Sequence, residues 1–414
     1  MKRLSPILLS LIAYALTACV ASTTSVQPLT IDGDTYLVEK REQKIHDLAE
    51  NAHRNMLTKG VLYSDIAANQ YLNRVGTSLV PNLAGHAPEF NFFIVKNASI
   101  NAFAMPNGNI YLHAGLLANL SNEAQLAHVL AHEIAHVVQR HSYIDRIDTH
   151  NTVVAAHVAD LLLFGTGLAY IPAGMNLASY SRDQEEESDT LALKYVADKN
   201  YNLRESIKLF QQLNEVKHTK ETASVWSSHP LSSSRYQHSL DSIEKSHTMS
   251  DGGIINQEIY EEFRQLVARL SIDRRISAQQ YELAEDAVLR EASVQKNDSI
   301  WQYYLGEIYR LKSRYPEDAA KEHAWLYDKK NTKELKQSFL DKIDSDHETA
   351  MTHYQNALTI TPNVYKIHRG LGLLHLQANN FSSAKYHLNQ YSNQLEKPKD
   401  WRYISSLITK IEKE

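Results

Sequence analysis

The 414-residue chain has one cysteine, Cys19, so no disulfide can close within it. A thiolate zinc site and a cysteine nucleophile are excluded with it. The chain also lacks a Gly-x-Ser-x-Gly elbow, a phosphate-binding loop and a Gly-x-Gly-x-x-Gly cradle, which removes the usual footholds for nucleotide-driven chemistry. Its formal charge is −5, without basic runs, and offers nothing to nucleic acid or anionic lipid headgroups. Long apolar runs are missing too. The run from Ile7 to Leu16 is too short to span a bilayer.

That run has the form of a secretory signal: Lys2 and Arg3 precede it, and Leu16-Thr17-Ala18-Cys19 follows it. The ending looks like a bacterial lipobox, in which Cys19 is acylated and residues 1–18 are removed. The bland alternative is a conventional cut at Ala18 or Ala21 with an incidental cysteine. Val20 after the cysteine resembles signals sorted to the outer membrane of Gram-negative bacteria. The expected location is therefore that membrane, with the chain lipid-anchored and facing the periplasm. Residues 19–40 read as a Ser/Thr-bearing tether, and the remainder is long enough for about two or three domains.

The most informative stretch is His132-Glu133-Ile134-Ala135-His136. Two imidazoles four residues apart on a helix project from one face and can reach a single zinc, with Glu133 beside them to hold the attacking water and move its protons. Ser121-Asn122 offers an N-cap, with Gln125 three residues on as in a capping box. Leu126, Leu130, Ile134 and Val137 form an apolar stripe. The pattern predicts an amphipathic helix, its apolar side on the core and His132, Glu133 and His136 facing a cleft. His128, one turn upstream, reads as scaffold.

A zinc held by two histidines needs a third protein ligand. Ser181 to Asp189 reads as the start of a helix, where Glu185 and Asp189, four apart, share a face. One carboxylate could bind the metal while the other accepts a hydrogen bond from the far nitrogen of a ligand histidine. Glu185 is the expected ligand and Asp189 the orienter. Glu186 and Glu187 read as solvated or substrate-facing, and an ordinary acidic helix start is the alternative.

Taken together, these residues resemble the zinc metallopeptidases of the CAAX prenyl protease and HtpX type, and among them the BepA-like periplasmic proteases with tetratricopeptide repeats. The likeness runs from Tyr71-Leu72-Asn73-Arg74-Val75-Gly76 through Asn101 to Gly108, the His-Glu helix, Tyr180 to Asp189, and His229-Pro230 with Arg235. The family pattern Glu-x-x-Ala-Asp also assigns the third ligand to Glu185, with Ser188 here in place of the usual Ala. It implies one Zn2+ per chain.

Phe90 to Val95, Ile100 to Met105 and Ile110 to His113 read as short strands, with Pro106-Asn107-Gly108 a turn between the last two. An ordinary hairpin and a substrate-binding edge fit that pattern equally. The resemblance favours the edge at Asn101, Ala102, Phe103 and Ala104, where an extended peptide would form sequence-blind main-chain hydrogen bonds. His229, on a loop restricted by Pro230, could donate to an oxyanion or bind the zinc at rest; the match to the family's His-Pro favours an active-site role over surface decoration. Arg235 could pair with Asp189 or near Glu185, or cap a helix. The stretch 151–180, with Gly165-Thr166-Gly167 and Pro172-Ala173-Gly174, reads as a candidate lid.

Beyond about residue 250 the sequence changes style. Ala350, Tyr354, Ala357 and Pro362 have tetratricopeptide spacing, and Leu371-Gly372, His375, Ala384 and Leu388 carry the register on. Trp301, Leu305-Gly306 and Tyr309 suggest an earlier copy, with the charged stretch Tyr315 to Asp346 interrupting the period. An unrelated helical bundle is the alternative.

The expected fold is α+β and predominantly helical. A gluzincin-type peptidase domain with a small edge sheet (41–248) would be followed by an all-α repeat domain (249–414) that leaves a concave peptide-binding surface. The resemblance implies an endopeptidase acting on unfolded or misassembled envelope and outer-membrane proteins, with the outer-membrane protein assembly machinery a further partner. The competing readings are a chaperone or assembly adaptor with proteolysis secondary, and a metal-free lipoprotein scaffold.

Overall fold

The computed structural model describes residues 26–29, 40–83, 87–148, 180–214, 229, 233–246, 252–295, 298–362, 364–393 and 397–413. The signal, Cys19 and the candidate lid, apart from Tyr180, lie outside the described residues. Among the described residues, no helix is long and apolar enough to cross a membrane.

The sheet has three strands, β1 (Asn91–Val95), β2 (Ala102–Ala104) and β3 (Asn109–His113), in the order β1-β3-β2. β3 runs parallel to β1 and antiparallel to β2. The expected turn closes β2 onto β3: Gly108 N–H donates to the Met105 carbonyl at 3.0 Å. Gly108 has φ +85°, and a Cβ there would stand 2.3 Å from the Glu89 carbonyl oxygen, so both the backbone angle and the space require glycine.

The helix Glu123–Val138 carries the His-Glu motif and starts as its sequence announces. Asn122 accepts from the Gln125 N–H at 3.0 Å. Gln125 reaches back to the N–H of Ser121 rather than to that of the cap residue, a variant of the capping box. The expected amphipathic character is not what the structure shows, because every residue of this helix is buried. It runs through the centre of the domain, packed against the helices Ile66–Leu79, Arg182–Asp198 and Leu203–Asn214 and against β2. Burial of Leu126, Leu130 and Ile134 contributes about 1.5–3 kcal/mol each, outweighing the few tenths per residue that helix propensity supplies.

A buried start for this helix puts Glu123 out of water, and four donors compensate it. Tyr71 Oη (2.7 Å), Arg74 Nη2 (2.9 Å), Tyr201 Oη (2.9 Å) and Asn256 Nδ2 (2.7 Å) all point to its carboxylate. Asn256 immediately precedes the helix Gln257–Ser277, whose Tyr260, Phe263 and Val267 join the core around the motif helix while its Ile272 joins the next core. One helix thus belongs to both packing units. At the other end of the chain, within the segment read as a tether, Leu29 is buried and its N–H donates to Val138 O at 2.8 Å.

From Tyr281 onward the described chain is helical. Helix Ser299–Arg314 packs on Ile343–Ile360, and Tyr365–Gln377 packs on Phe381–Ser392. Gly306 and Gly370 lie against the ring of Tyr354, and Gly372 against Leu388, positions where a Cβ would come within 2.4–2.7 Å of those side chains. The charged stretch that interrupts the period folds as two extra helices, Pro316–Leu326 and Lys333–Leu340, between the first pair's members.

Candidate metal centre

Three helices and one loop residue converge on a buried cluster. The motif helix brings His132, Glu133 and His136; the helix Arg182–Asp198 brings Glu185 and Asp189; the helix Ser233–Lys245 brings Arg235; and His229 enters from the loop before it. Ser181 caps the second of these helices in a full capping box with Gln184, which fixes the register that aims Glu185 and Asp189 inward.

His132, His136, Glu185 and His229 each offer a ligand atom, and these atoms all lie within 4.8 Å of one another. His132 Nε2 is 3.0 Å from His136 Nε2, 3.5 Å from Glu185 Oε2 and 3.2 Å from His229 Nδ1. His136 Nε2 is 3.6 Å from Glu185 Oε1, and His229 Nδ1 is 2.8 Å from the same oxygen. Donor atoms around a tetrahedral zinc with bonds of about 2.0–2.1 Å stand roughly 3.3 Å apart, so the set fits that ion in both spacing and chemistry.

Charge makes the same demand. Glu133, Glu185 and Asp189 are all buried here, while Arg235 is the fixed cation among them. Arg235 holds both Asp189 oxygens, at 2.8 and 2.6 Å, and reaches Glu185 Oε2 at 2.9 Å. Desolvation works against the Glu185 and Asp189 carboxylates, yet His229, Arg235 and His132 hold Glu185, and Arg235 and His132 hold Asp189, well below the ordinary range. Burial likewise opposes charge on His132, but its carboxylate partners outweigh it and raise it to about 9. His136 is held neutral by burial and by His132 and His229 beside it. The buried carboxylates therefore favour positive charge at the cluster, which a metal ion would supply.

The sequence-derived residues fall as follows. Asp189 Oδ1 lies 2.9 Å from His132 Nδ1, and Arg235 pairs with Asp189 and Glu185. Glu133 Oε1 is 3.2 Å from His229 Nε2. His128 is buried edge-on to Phe210, 5.5 Å between centroids, as scaffold. Asn101, Ala102, Phe103 and Ala104 are buried; Ala102–Ala104 form the terminal strand of the sheet, beside the motif helix, and Asn101 immediately precedes it. Glu187 is about half exposed, but it is not simply solvated: its Oε2 is 3.3 Å from His141 Nε2.

Two further residues, given no role from the sequence, adjoin His136. The Tyr180 ring stacks on His136 at 3.9 Å between centroids, and its hydroxyl meets Ser142 Oγ at 3.0 Å. His141 Nδ1 lies 2.9 Å from His136 Nδ1. His141 is five residues past His136, off the shared face of a continuous helix. Arg140, at φ +59°, breaks the helix without the glycine or proline that would have signalled it.

Residues 67–243 match the profile of Peptidase family M48. A putative beta-barrel assembly-enhancing protease of Vibrio cholerae is 28% identical over 227 residues, covering 52% of this chain and 44% of that protein. The beta-barrel assembly-enhancing protease of Escherichia coli K12 is 28% identical over 195 residues, 44% of this chain and 40% of that one. Metalloprotease YcaL of the same organism is 28% identical over 179 residues, 42% of this chain and 68% of its own length. This chain thus spans less than half the length of the first two relatives. By that profile match and their buried His-His-Glu-His cluster, residues 67–243 are similar to the metallopeptidase domains of family M48, including those of the beta-barrel assembly-enhancing proteases, with zinc as the cofactor.

Proposed function

We propose that the chain is a zinc-dependent endopeptidase in which His132, His136 and Glu185 hold the metal and Glu133 serves as general base. The observation that carries this reading is the convergence of those ligand atoms beside the buried Glu133 carboxylate. When bound, zinc supplies Lewis acidity, lowering the pKa of water and polarising a scissile carbonyl. Glu133 takes the proton of the attacking water and hands it to the leaving amine. Asp189, clamped by Arg235, fixes the ring of His132. Asn101 to Ala104 would pair with an extended client, beside the metal helix. His229, within reach of Glu185, His132 and Glu133, restrains the site at rest by standing in as a ligand.

The clients we infer are unfolded or misassembled envelope and outer-membrane proteins; the relatives' names call those proteins beta-barrel assembly-enhancing proteases. The helical region after residue 249 would recruit them as tetratricopeptide-like repeats, near the outer-membrane assembly machinery. An acyl chain on Cys19 would tether the protein to the periplasmic face of the outer membrane. A chaperone or assembly adaptor is the second reading, favoured by the position of His229 among the ligands, which suits a suppressed protease.

The test is cleavage of an unfolded outer-membrane barrel protein by the purified chain. Cleavage should stop with a chelator and with Glu133→Gln, which should still bind zinc. Undiminished cleavage by Glu133→Gln would remove the mechanism, and no cleavage by zinc-loaded wild type or His229→Ala would favour the adaptor. The anchor is tested separately: a Cys19→Ser chain still lipid-labelled in the outer-membrane fraction would exclude it.

A further inference from the structure

Among the described residues, the far nitrogen of His136 meets an imidazole, whereas that of His132 meets a carboxylate. A neutral imidazole has one N–H and one lone pair, and whichever nitrogen keeps the lone pair is set by the partner of the other. His136 Nε2 faces the centre, 3.0 Å from His132 Nε2, and must present its lone pair to whatever cation sits there. Its hydrogen is then on Nδ1, where it needs a buried acceptor.

That acceptor is the Nδ1 of His141, 2.9 Å away. Accepting on Nδ1 places the hydrogen of His141 on Nε2, and Nε2 points to Glu187 Oε2 at 3.3 Å. Ser188 Oγ stands 3.5 Å from the same His141 Nδ1, at the outer limit of a hydrogen bond. The chain of donors thus runs in one direction, from His136 through His141 to Glu187.

We propose that His141 is a positioning residue for the metal centre: it fixes the tautomer and ring orientation of His136 and is itself fixed by Glu187. The proposal rests on the reading of His136 as a zinc ligand. Its logic is one of charge. Glu133, Glu185 and Asp189 already crowd the centre with buried carboxylates, and a fourth beside His136 would cost several kcal/mol of desolvation. An imidazole relay transmits acceptor strength while leaving the carboxylate at its far end about half in water.

Local structure builds the relay. Arg140 ends the motif helix in the left-handed region at φ +59°, so the chain turns back and the next helix, His141–Asp148, begins against the His136 ring. The Arg140 side chain locks this turn by pairing with Glu42 and donating to the Gln27 carbonyl.

The test measures zinc affinity of the full chain by chelator competition. His141→Leu should weaken zinc roughly 10- to 100-fold, the usual loss when such an orienting partner is removed. His141→Asn, whose Oδ1 stands where Nδ1 stood, should bind close to wild type. Glu187→Ala, on a half-exposed side chain that does not endanger folding, should show a smaller loss in the same direction. Wild-type affinity in His141→Leu, or an Asn variant as weak as Leu, would overturn the proposal. Nitrogen-15 shifts of histidine-labelled protein read the relay directly and without reference to cleavage: His141 should carry its hydrogen on Nε2, and a protonated Nδ1 would overturn it. A wild type that binds no zinc would instead overturn the metal reading.

Discussion

His132 Nδ1 and Asp189 Oδ1 are 2.9 Å apart and both fully buried, so the far side of a candidate zinc ligand ends on a carboxylate that Arg235 grips with two hydrogen bonds. Two helices are thereby coupled at the metal. The spacing of four residues between Glu185 and Asp189, one turn of helix, lets Glu185 face the His132/His136 Nε2 atoms while Asp189 reaches behind His132.

Asp189→Asn keeps shape but removes the charge and can offer His132 an amide hydrogen instead of an acceptor. Zinc affinity should fall roughly 10- to 100-fold. Chelator competition checks it, and wild-type affinity would mean that Asp189 serves Arg235 alone.

His229 Nδ1 lies 2.8 Å from Glu185 Oε1, inside the ligand set. If it restrains the site, His229→Ala should raise turnover of an unstructured peptide. A fall of about 10²- to 10³-fold would assign it to the oxyanion instead.

The helical region offers a pH-dependent test away from the metal. Glu322, from helix Pro316–Leu326, accepts from the backbone N–H groups of Glu282 (2.9 Å) and Leu283 (3.2 Å) and so caps helix Tyr281–Val294 from outside it. Desolvation dominates those bonds and pushes its carboxyl from 4.5 to about 7. Between these values the folded chain keeps a proton that the unfolded chain releases, so this contribution to stability is full below pH 4.5 and is lost as pH rises through 7. The stability of wild type relative to Glu322→Gln should therefore decline from pH 4.5 to 7. A difference that does not change across that window would contradict the shift.

Much of the site was legible because it is local. The i,i+4 pairs His132/His136 and Glu185/Asp189, the Asn122 cap and the turn at Gly108 all depend on neighbours within a few residues. The parts that escaped depend on distant segments. Glu123 looks like an ordinary first-turn acid until Asn256, 133 residues away, and Tyr71, Arg74 and Tyr201 close on it. For the same reason the motif helix reads as amphipathic although it is buried all round: His132, Glu133 and His136 meet Asp189, His229 and His141 from distant or separate segments rather than water. His141 was hidden by a left-handed turn at an arginine, a conformation no residue type announced.

We propose that His132, His136 and Glu185 together hold one zinc per chain. It is tested most directly by zinc titration of the purified wild type beside Glu185→Ala and Glu186→Ala. Wild type and Glu186→Ala should each take up one zinc with the same affinity, and Glu185→Ala should lose tight binding. Stoichiometric, wild-type-like zinc in Glu185→Ala would contradict the claim and move the third ligand elsewhere.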